Sequence, residues 1–367
     1  VSLSASRLDQ FAGCRYAFFL RYGLKLEPWR QASFDAPVFG TFAHYVLECT
    51  VRDVMAQGGF HALDEAKIQA IACRHMDVYT EKFMSSSQQI DGRLEYLFHR
   101  NREEVLGIVR NVADELRVSQ FVPCEEELAF SKDGKLPPVY IETPDGQAVL
   151  SGFVDRVDVL DTPGGGYFRV IDYKTGHKDF DYTDLLCGQG LQMLIYLFAI
   201  ERAESDHAAA GKKPAGILYV PGRVDVERLE PGQAEEELSK LRQKHLVRQG
   251  LLLQDEAVLQ AMEPGDSPVY LPYQNKKGEI TGSLATREQF ALLEDFVSQS
   301  LQNLTKEIFS GAVAPNPIVR GPKLSSCQYC AYQSACHKDT CRIDTRWRKK
   351  LGAAEFWQEL ERRKANG

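Results

Sequence analysis

The chain has 367 residues, 44% hydrophobic and 26% charged, with a formal net charge of −7. This composition suits a globular protein with a large core, and no apolar run reaches the roughly 18 residues a transmembrane helix needs, so no membrane partner is expected. The acidic balance argues against a protein that simply coats nucleic acid by charge, yet leaves room for a nuclease with acidic metal ligands and local basic patches. Candidate patches are Lys212-Lys213 and the C-terminal tail.

The opening residues, "VSLSASRLDQ", have neither the basic nor the apolar region of a signal peptide. They also lack an initiating Met, so a piece of something longer is expected. Nine cysteines, an odd number without a secretion signal, indicate a reducing, cytoplasmic compartment.

Residues 1–120 read as mostly helical. "SASRLDQFAGCRYAFFLRYGL" carries a dense apolar face, and "VFGTFAHYVLECTVRDVMAQGG" is a second helix stopped by Gly58-Gly59. Two more cover "DEAKIQAIACRHMDVYTEKFM" and "RLEYLFHRNREEVLGIVRNVADELRVSQ". From 121 to 224 the alternation changes to period two. Strands are expected at "CEEELAFS", "PVYIET", "AVLSGFVDRVDVLD" and "GYFRVIDYKTG", then a helix over "YTDLLCGQGLQMLIYLFAIERA" and a strand at "PAGILYVPGR". Residues 225–310 read as an insertion of polar amphipathic helices with a hairpin near "PVYLPYQNKKGEI". Residues 311–367 hold a cysteine-rich run and the basic tail. Strands bracketed by helices make an α/β core. No G-x-x-x-x-G-K-[ST] loop is present, so the chain carries no recognisable ATPase motif.

The chemistry concentrates in "FRVIDYKTG". Strand alternation puts Asp172 and Lys174 on one side. In isolation, such a pair is often a surface ion pair worth little. In "SGFVDRVDVL", Asp155 and Asp158 point to opposite faces, so only one can share that site. If the two strands pair antiparallel, Asp155 lies near Asp172. Two such carboxylates repel unless a cation sits between them, and hard divalent cations take carboxylate oxygens. A neighbouring lysine can hold the attacking water or stabilise developing charge. Gln192 and Tyr196 lie one turn apart on the next helix, and His44 follows a glycine upstream.

The order of these elements, His44 on a helix, Asp155 in G-x-V-D, Asp172 and Lys174 in D-Y-K-T-G, then Gln192 and Tyr196 in Q-x-x-x-Y, resembles the PD-(D/E)XK nuclease superfamily of the RecB type. The resemblance implies a restriction-endonuclease-like core with a mixed central sheet flanked by helices. It implies His44, Asp155, Asp172 and the Tyr173 backbone carbonyl as ligands for Mg²⁺ or Mn²⁺. Lys174 would be catalytic, with Asp155 and Asp172, while Gln192 and Tyr196 position the substrate strand.

"SSCQYCAYQSACHKDTC" adds Cys327, Cys330, Cys336 and Cys341, a spacing that signals a metal. With Cys341 as the fourth ligand, a local zinc knuckle results. With Cys14, a cluster ties the first helix to the C-terminal segment. The context of Cys14 resembles the N-terminal motif of iron–sulfur nucleases in this superfamily, which implies a [4Fe-4S] cluster on Cys14, Cys327, Cys330 and Cys336. Such a staple would close a loop of about 300 residues, worth about 5 kcal/mol of chain entropy. "AGILYVPGR", "GLLLQDEAVLQAM", "IFSGAVAPNP" and the cysteine run resemble the nuclease domain of AddB-type subunits of AddAB helicase–nucleases. That implies an AddA-like motor partner, single-stranded DNA ends as substrate, and cutting of the 5′-ended strand during break processing. The alternatives are a non-catalytic DNA-binding scaffold, against which the intact acids and lysine speak, and a stand-alone CRISPR-type cluster nuclease, against which the extra 221–310 segment speaks.

Overall fold

The computed structural model describes residues 1–27, 36–86, 92–176, 178–203, 207–222, 247–276, 278–320, 325–337 and 343–366. The chain starts with β1 (Ser2–Leu3), α1 (Ala5–Gly13) and α2 (Arg15–Phe18), which continues as a π-helical turn over Phe19–Gly23. The first helix therefore breaks where one continuous helix was expected, at Cys14, whose backbone is extended (φ −162°, ψ 119°). Buried Arg15 explains the break. Its guanidinium caps the end of α1 by donating to the Phe11 and Ala12 carbonyls at 3.2 and 3.0 Å, and it pairs with Glu307 at 2.7 Å.

Three long helices follow: α3 (Ala36–Ala56), α4 (Glu65–Ser86) and α5 (Gly92–Val118). Gly58 and Gly59 end α3 with φ of 104° and 87°, values a side chain would oppose. The central sheet has six strands in the order β11-β8-β7-β6-β5-β2. They are β2 (Val122–Phe130), β5 (Gly152–Thr162), β6 (Gly165–Lys174), β7 (Lys213–Pro221), β8 (Gln249–Leu253) and β11 (Leu284–Ala285). The sheet is mixed, because β6 and β7 run parallel while β2, β5 and β6 form an antiparallel meander. Beside it, β3 (Val139–Thr143), β4 (Gly146–Leu150) and β1 make a small second sheet.

The stretch "AVLSGFVDRVDVLD" is thus two strands rather than one. Gly152 starts the second because a Cβ there would overlap the Tyr196 hydroxyl. The following helix also divides, into α6 (Tyr182–Leu186) and α7 (Gln192–Arg202), across a turn with Gly188 and Gly190 at φ 77° and 68°. The segment expected as a helical insertion is a second difference. Its first part, through residue 246, lies outside the described residues, but β8 and β11 extend the central sheet. Leu251, Leu252 and Leu253 are buried, an apolar run that a central strand tolerates on both faces. α8 (Glu256–Met262), the expected hairpin of β9 (Tyr273–Lys276) and β10 (Glu279–Gly282), and α9 (Arg287–Phe309) complete it. Thr286 and Gln289 close α9 with a capping box. The C-terminal segment holds β12 (Ile318–Val319), α10 (Gln333–Cys336), β13 (Arg346–Trp347) and α11 (Ala353–Asn366).

One face of the meander buries a charge network. Asp158 takes two hydrogen bonds from Arg156, at 2.7 and 3.0 Å, and one at 2.8 Å from Arg169 directly across the β5–β6 ladder. Arg169 also sits 3.0 Å from Glu115 of α5, at ion-pair distance but without hydrogen-bond alignment. Arg248, preceding β8, donates to the other Glu115 oxygen at 2.9 Å. All three arginines are fully buried. Burial pushes the Glu115 carboxyl up, but Arg248, Arg169 and Arg156 outweigh it and hold it at about 2.

Because its folded value lies below the ordinary 4.5, Glu115 stabilises the fold above that pH, and the contribution fades as pH falls toward 2. Glu115→Ala, which strands Arg169 and Arg248, is expected to cost about 3–5 kcal/mol in chemical denaturation at neutral pH. The difference from wild type should shrink below about pH 4. An equal deficit at all pH values would contradict this account.

Candidate active site

The β5–β6 register pairs Arg156 with Ile171, which sets Asp155 opposite Asp172. On the other side, β2 pairs Glu126 with Arg156 and Leu128 with Val154, so Glu127 lies opposite Asp155. Three neighbouring strands therefore present Glu127, Asp155 and Asp172 in one transverse row on one face. Asp158, in the opposite phase, belongs to the buried network.

α3 brings His44 over this row. Gly40, one turn earlier, allows the approach, since a Cβ there would lie 3.3 Å from the Thr175 hydroxyl at the end of β6. His44 Nδ1 is 3.4 Å from Asp155 Oδ2, and its ring meets Tyr173 edge-on at 6.0 Å. One donor atom from each of His44, Glu127 and Asp155 lies within 4.8 Å of the others. The Tyr173 N–H donates to Asp155 Oδ2 at 2.7 Å, and the Tyr173 backbone also hydrogen-bonds His44. Lys174 Nζ stands 2.6 Å from Asp172 Oδ2.

The charges are crowded. Burial, and then Asp155, pushes Asp172 up to about 6 against the pull of Lys174. Glu127 is pushed to about 7 by burial, Asp155 and Glu48. Burial disfavours the charged form of His44, yet Asp155 outweighs it and leaves the imidazole raised. These shifts all report the same demand for positive charge at the row, and the donor set fits a divalent cation. Two carboxylates suit Mg²⁺, and an imidazole makes Mn²⁺ a good substitute. Asp172 stands beside the trio and holds the lysine.

Sequence reasoning missed Glu127 and its neighbour Glu48, four residues after His44 on α3. The available signal was the unusual acidic triplet within the strand "CEEELAFS". A bulge between Pro123 and Glu125, with Glu127 at φ 48°, disguises which acid faces the site. Tyr196, expected to position substrate, is buried and stacks on Phe130 at 4.8 Å. Its surroundings are those of a core residue, and burial followed by Asp172 pushes its hydroxyl up to about 12. Gln192 is half-buried at the start of α7.

The four expected cluster cysteines converge. Cys14, Cys327, Cys330 and Cys336 line one small cavity of about 20 Å³, with Tyr16, Pro317 and Tyr332 around them. Burial raises the Cys330 thiol, the Tyr332 backbone counters it, and Cys14, Cys327 and Cys336 raise it further. Cys341 lies outside the described residues. The eight described cysteines are free thiols.

Residues 2–337 match the sequence pattern of the PD-(D/E)XK nuclease superfamily. The chain belongs to that superfamily. It is similar to proteins of three bacteria that carry the name of the B-type subunit of an ATP-dependent helicase/deoxyribonuclease. With that of Acetivibrio thermocellus it is 34% identical over 345 residues, 92% of this chain and 30% of the relative. With Clostridium novyi the identity is 31% over 369 residues, 98% of this chain and 32% of the relative. With a Thermoanaerobacter species it is 31% over 378 residues, 99% and 32%. The chain spans about a third of the length of these curated relatives.

Mn²⁺ bound at the carboxylate row should raise the melting temperature, and about 2.7 kcal/mol is gained when the ion is at 100 times its Kd. Asp155→Ala is expected to abolish the rise and Glu127→Gln to weaken it, as read by differential scanning calorimetry. An undiminished rise in Asp155→Ala would place the ion elsewhere.

Proposed function

We propose that this chain is a metal-dependent DNA nuclease that hydrolyses single-stranded DNA from its ends. The observation that carries the reading is the Glu127, Asp155 and Asp172 row with His44 above it and Lys174 held by Asp172. Asp155, Glu127, His44 and the Tyr173 carbonyl would hold Mg²⁺ or Mn²⁺, which supplies polarisation of the phosphate and a more acidic bound water. Asp172 keeps the Lys174 ammonium at the row, where it orients the attacking water and stabilises charge building on the phosphate oxygens. Hydrolysis forms one phosphorus–oxygen bond to that water and breaks one to the leaving sugar oxygen, which takes up a proton.

Cys14, Cys327, Cys330 and Cys336 hold a [4Fe-4S] cluster in this reading. A single zinc would draw its thiolates to about 3.8 Å of one another. Among the described residues, no three of these sulfurs fall within 4.8 Å of each other, which favours a larger group between them. The cluster ties the first helices to the C-terminal segment. By analogy with the relatives' names, the chain works with an ATP-driven, AddA-like motor in the cytoplasm and cuts the 5′-ended strand as it is released. No described helix is long and apolar enough to cross a membrane.

The test is cleavage of single-stranded DNA labelled separately at each end, with Mg²⁺ or Mn²⁺ and anaerobically prepared protein. Wild type should shorten the DNA from an end, and Lys174→Ala should slow it by at least about 100-fold. Metal-dependent cutting that persists in Lys174→Ala would overturn the assignment.

A further inference from the structure

A second concave site lies beside the carboxylate row and has no role in the chemistry above. It is a cavity of about 460 Å³, walled by Asp9, Gln10 and Arg21 on one side, Gln189 on another, and Ser326 and Tyr329 on the third. The volume is in the range that takes a small organic group, roughly 300–1,000 Å³.

Its walls are built. Gln189 is set by the two left-handed glycines that flank it, and Gly190 N–H donates to Asp9 Oδ1 at 3.0 Å. Gln189 Nε2 reaches the Asp9 carbonyl at 3.4 Å. Gly13 lets the segments converge, because a Cβ there would lie 3.2 Å from Gln189 Nε2 and 3.4 Å from Ser326 Oγ. Amide, carboxyl and hydroxyl groups thus offer both donors and acceptors. At the rim, Arg21 is exposed and lies over the Tyr22 ring at 5.4 Å. Tyr329, between two of the cysteines, is 91% exposed and is the most exposed large apolar side chain among the described residues. Lys178 Nζ is 3.7 Å from where a Gly190 side chain would begin, so cationic groups continue from the cavity toward Lys174. Asp9, pushed up to about 6 by burial, is pulled back by Lys178 and also by Lys174.

The geometry points to a subsite for one unstacked nucleotide of single-stranded DNA, with Tyr329 stacking the base, Gln189 and Gln10 contacting its edge, and Arg21 and Lys178 following the phosphates toward Lys174. The inference rests on the nuclease reading above. Stacking on an exposed aromatic beside a cationic track is how single strands are held without reading their sequence. The polar lining adds hydrogen-bond partners that a plain stacking platform lacks.

The test uses 2-aminopurine, whose fluorescence is quenched by stacking, placed one position at a time along a short oligothymidylate. Binding is measured to Lys174→Ala protein in Ca²⁺. One position should be quenched, Tyr329→Ala in that background should abolish the quenching and weaken binding about fivefold or more, and Tyr329→Trp should restore both. Gln189→Ala in otherwise wild-type protein should raise the oligonucleotide KM with kcat nearly constant, a check that does not disturb the cysteine loop. Quenching and affinity unaltered in Tyr329→Ala would overturn the subsite. Hydrolysis of bis-p-nitrophenyl phosphate by wild type with Mn²⁺, a substrate with no base to stack, tests the nuclease reading separately. If it is not cleaved, the nuclease reading fails and the subsite falls with it.

Discussion

The pairing of β5 with β6 is the constraint on which the site depends. A strand slipped by one residue sends every side chain to the opposite face. Here the register is held from the far side of the sheet, where Asp158 and Arg169 face each other across the ladder and Arg156 grips the same carboxylate. Arg156 also donates to the Tyr173 hydroxyl at 2.6 Å. The buried charges thus fix the residue whose backbone contacts Asp155 and His44. Glu115 and Arg248 extend the same network into α5 and the start of β8, so helical part, meander and late strands share one anchor.

On the opposite face, that register collects negative charge. Glu127, Asp155 and Asp172 would separate in water, yet three strands hold them side by side beneath a histidine. The raised carboxyls are the physical sign of this crowding. A row so arranged is destabilising by itself and useful once a divalent cation and a phosphate share it. The cysteine cavity lies on the flank formed by α1 and α2, and the Tyr329 cavity fills the space between it and Lys174.

Much of this was legible in the sequence because the decisive signals are local. The two-residue spacing of Asp172 and Lys174, the opposite phases of Asp155 and Asp158, and the cysteine spacing each reflect a short-range rule of geometry. The breaks at Cys14, Ser151 and Gly188 were not legible, because each depends on a distant contact: Arg15 with Glu307, Gly152 with Tyr196, and Gly188 with Leu304, which a Cβ there would meet at 3.1 Å. Glu127 was hidden by a bulge. The strands β8 and β11 were hidden because a short apolar run looks the same in a buried strand and in a helix.

The central claim is that one divalent ion sits on the row, held by Asp155, Glu127 and His44. Crystals grown with Mn²⁺ and measured at the manganese absorption edge test it directly. The account predicts an anomalous peak about 2.2 Å from oxygens of Asp155 and Glu127 and from a His44 ring nitrogen. A peak elsewhere, or an empty row in crystals whose Mn²⁺ occupies another site, would contradict it.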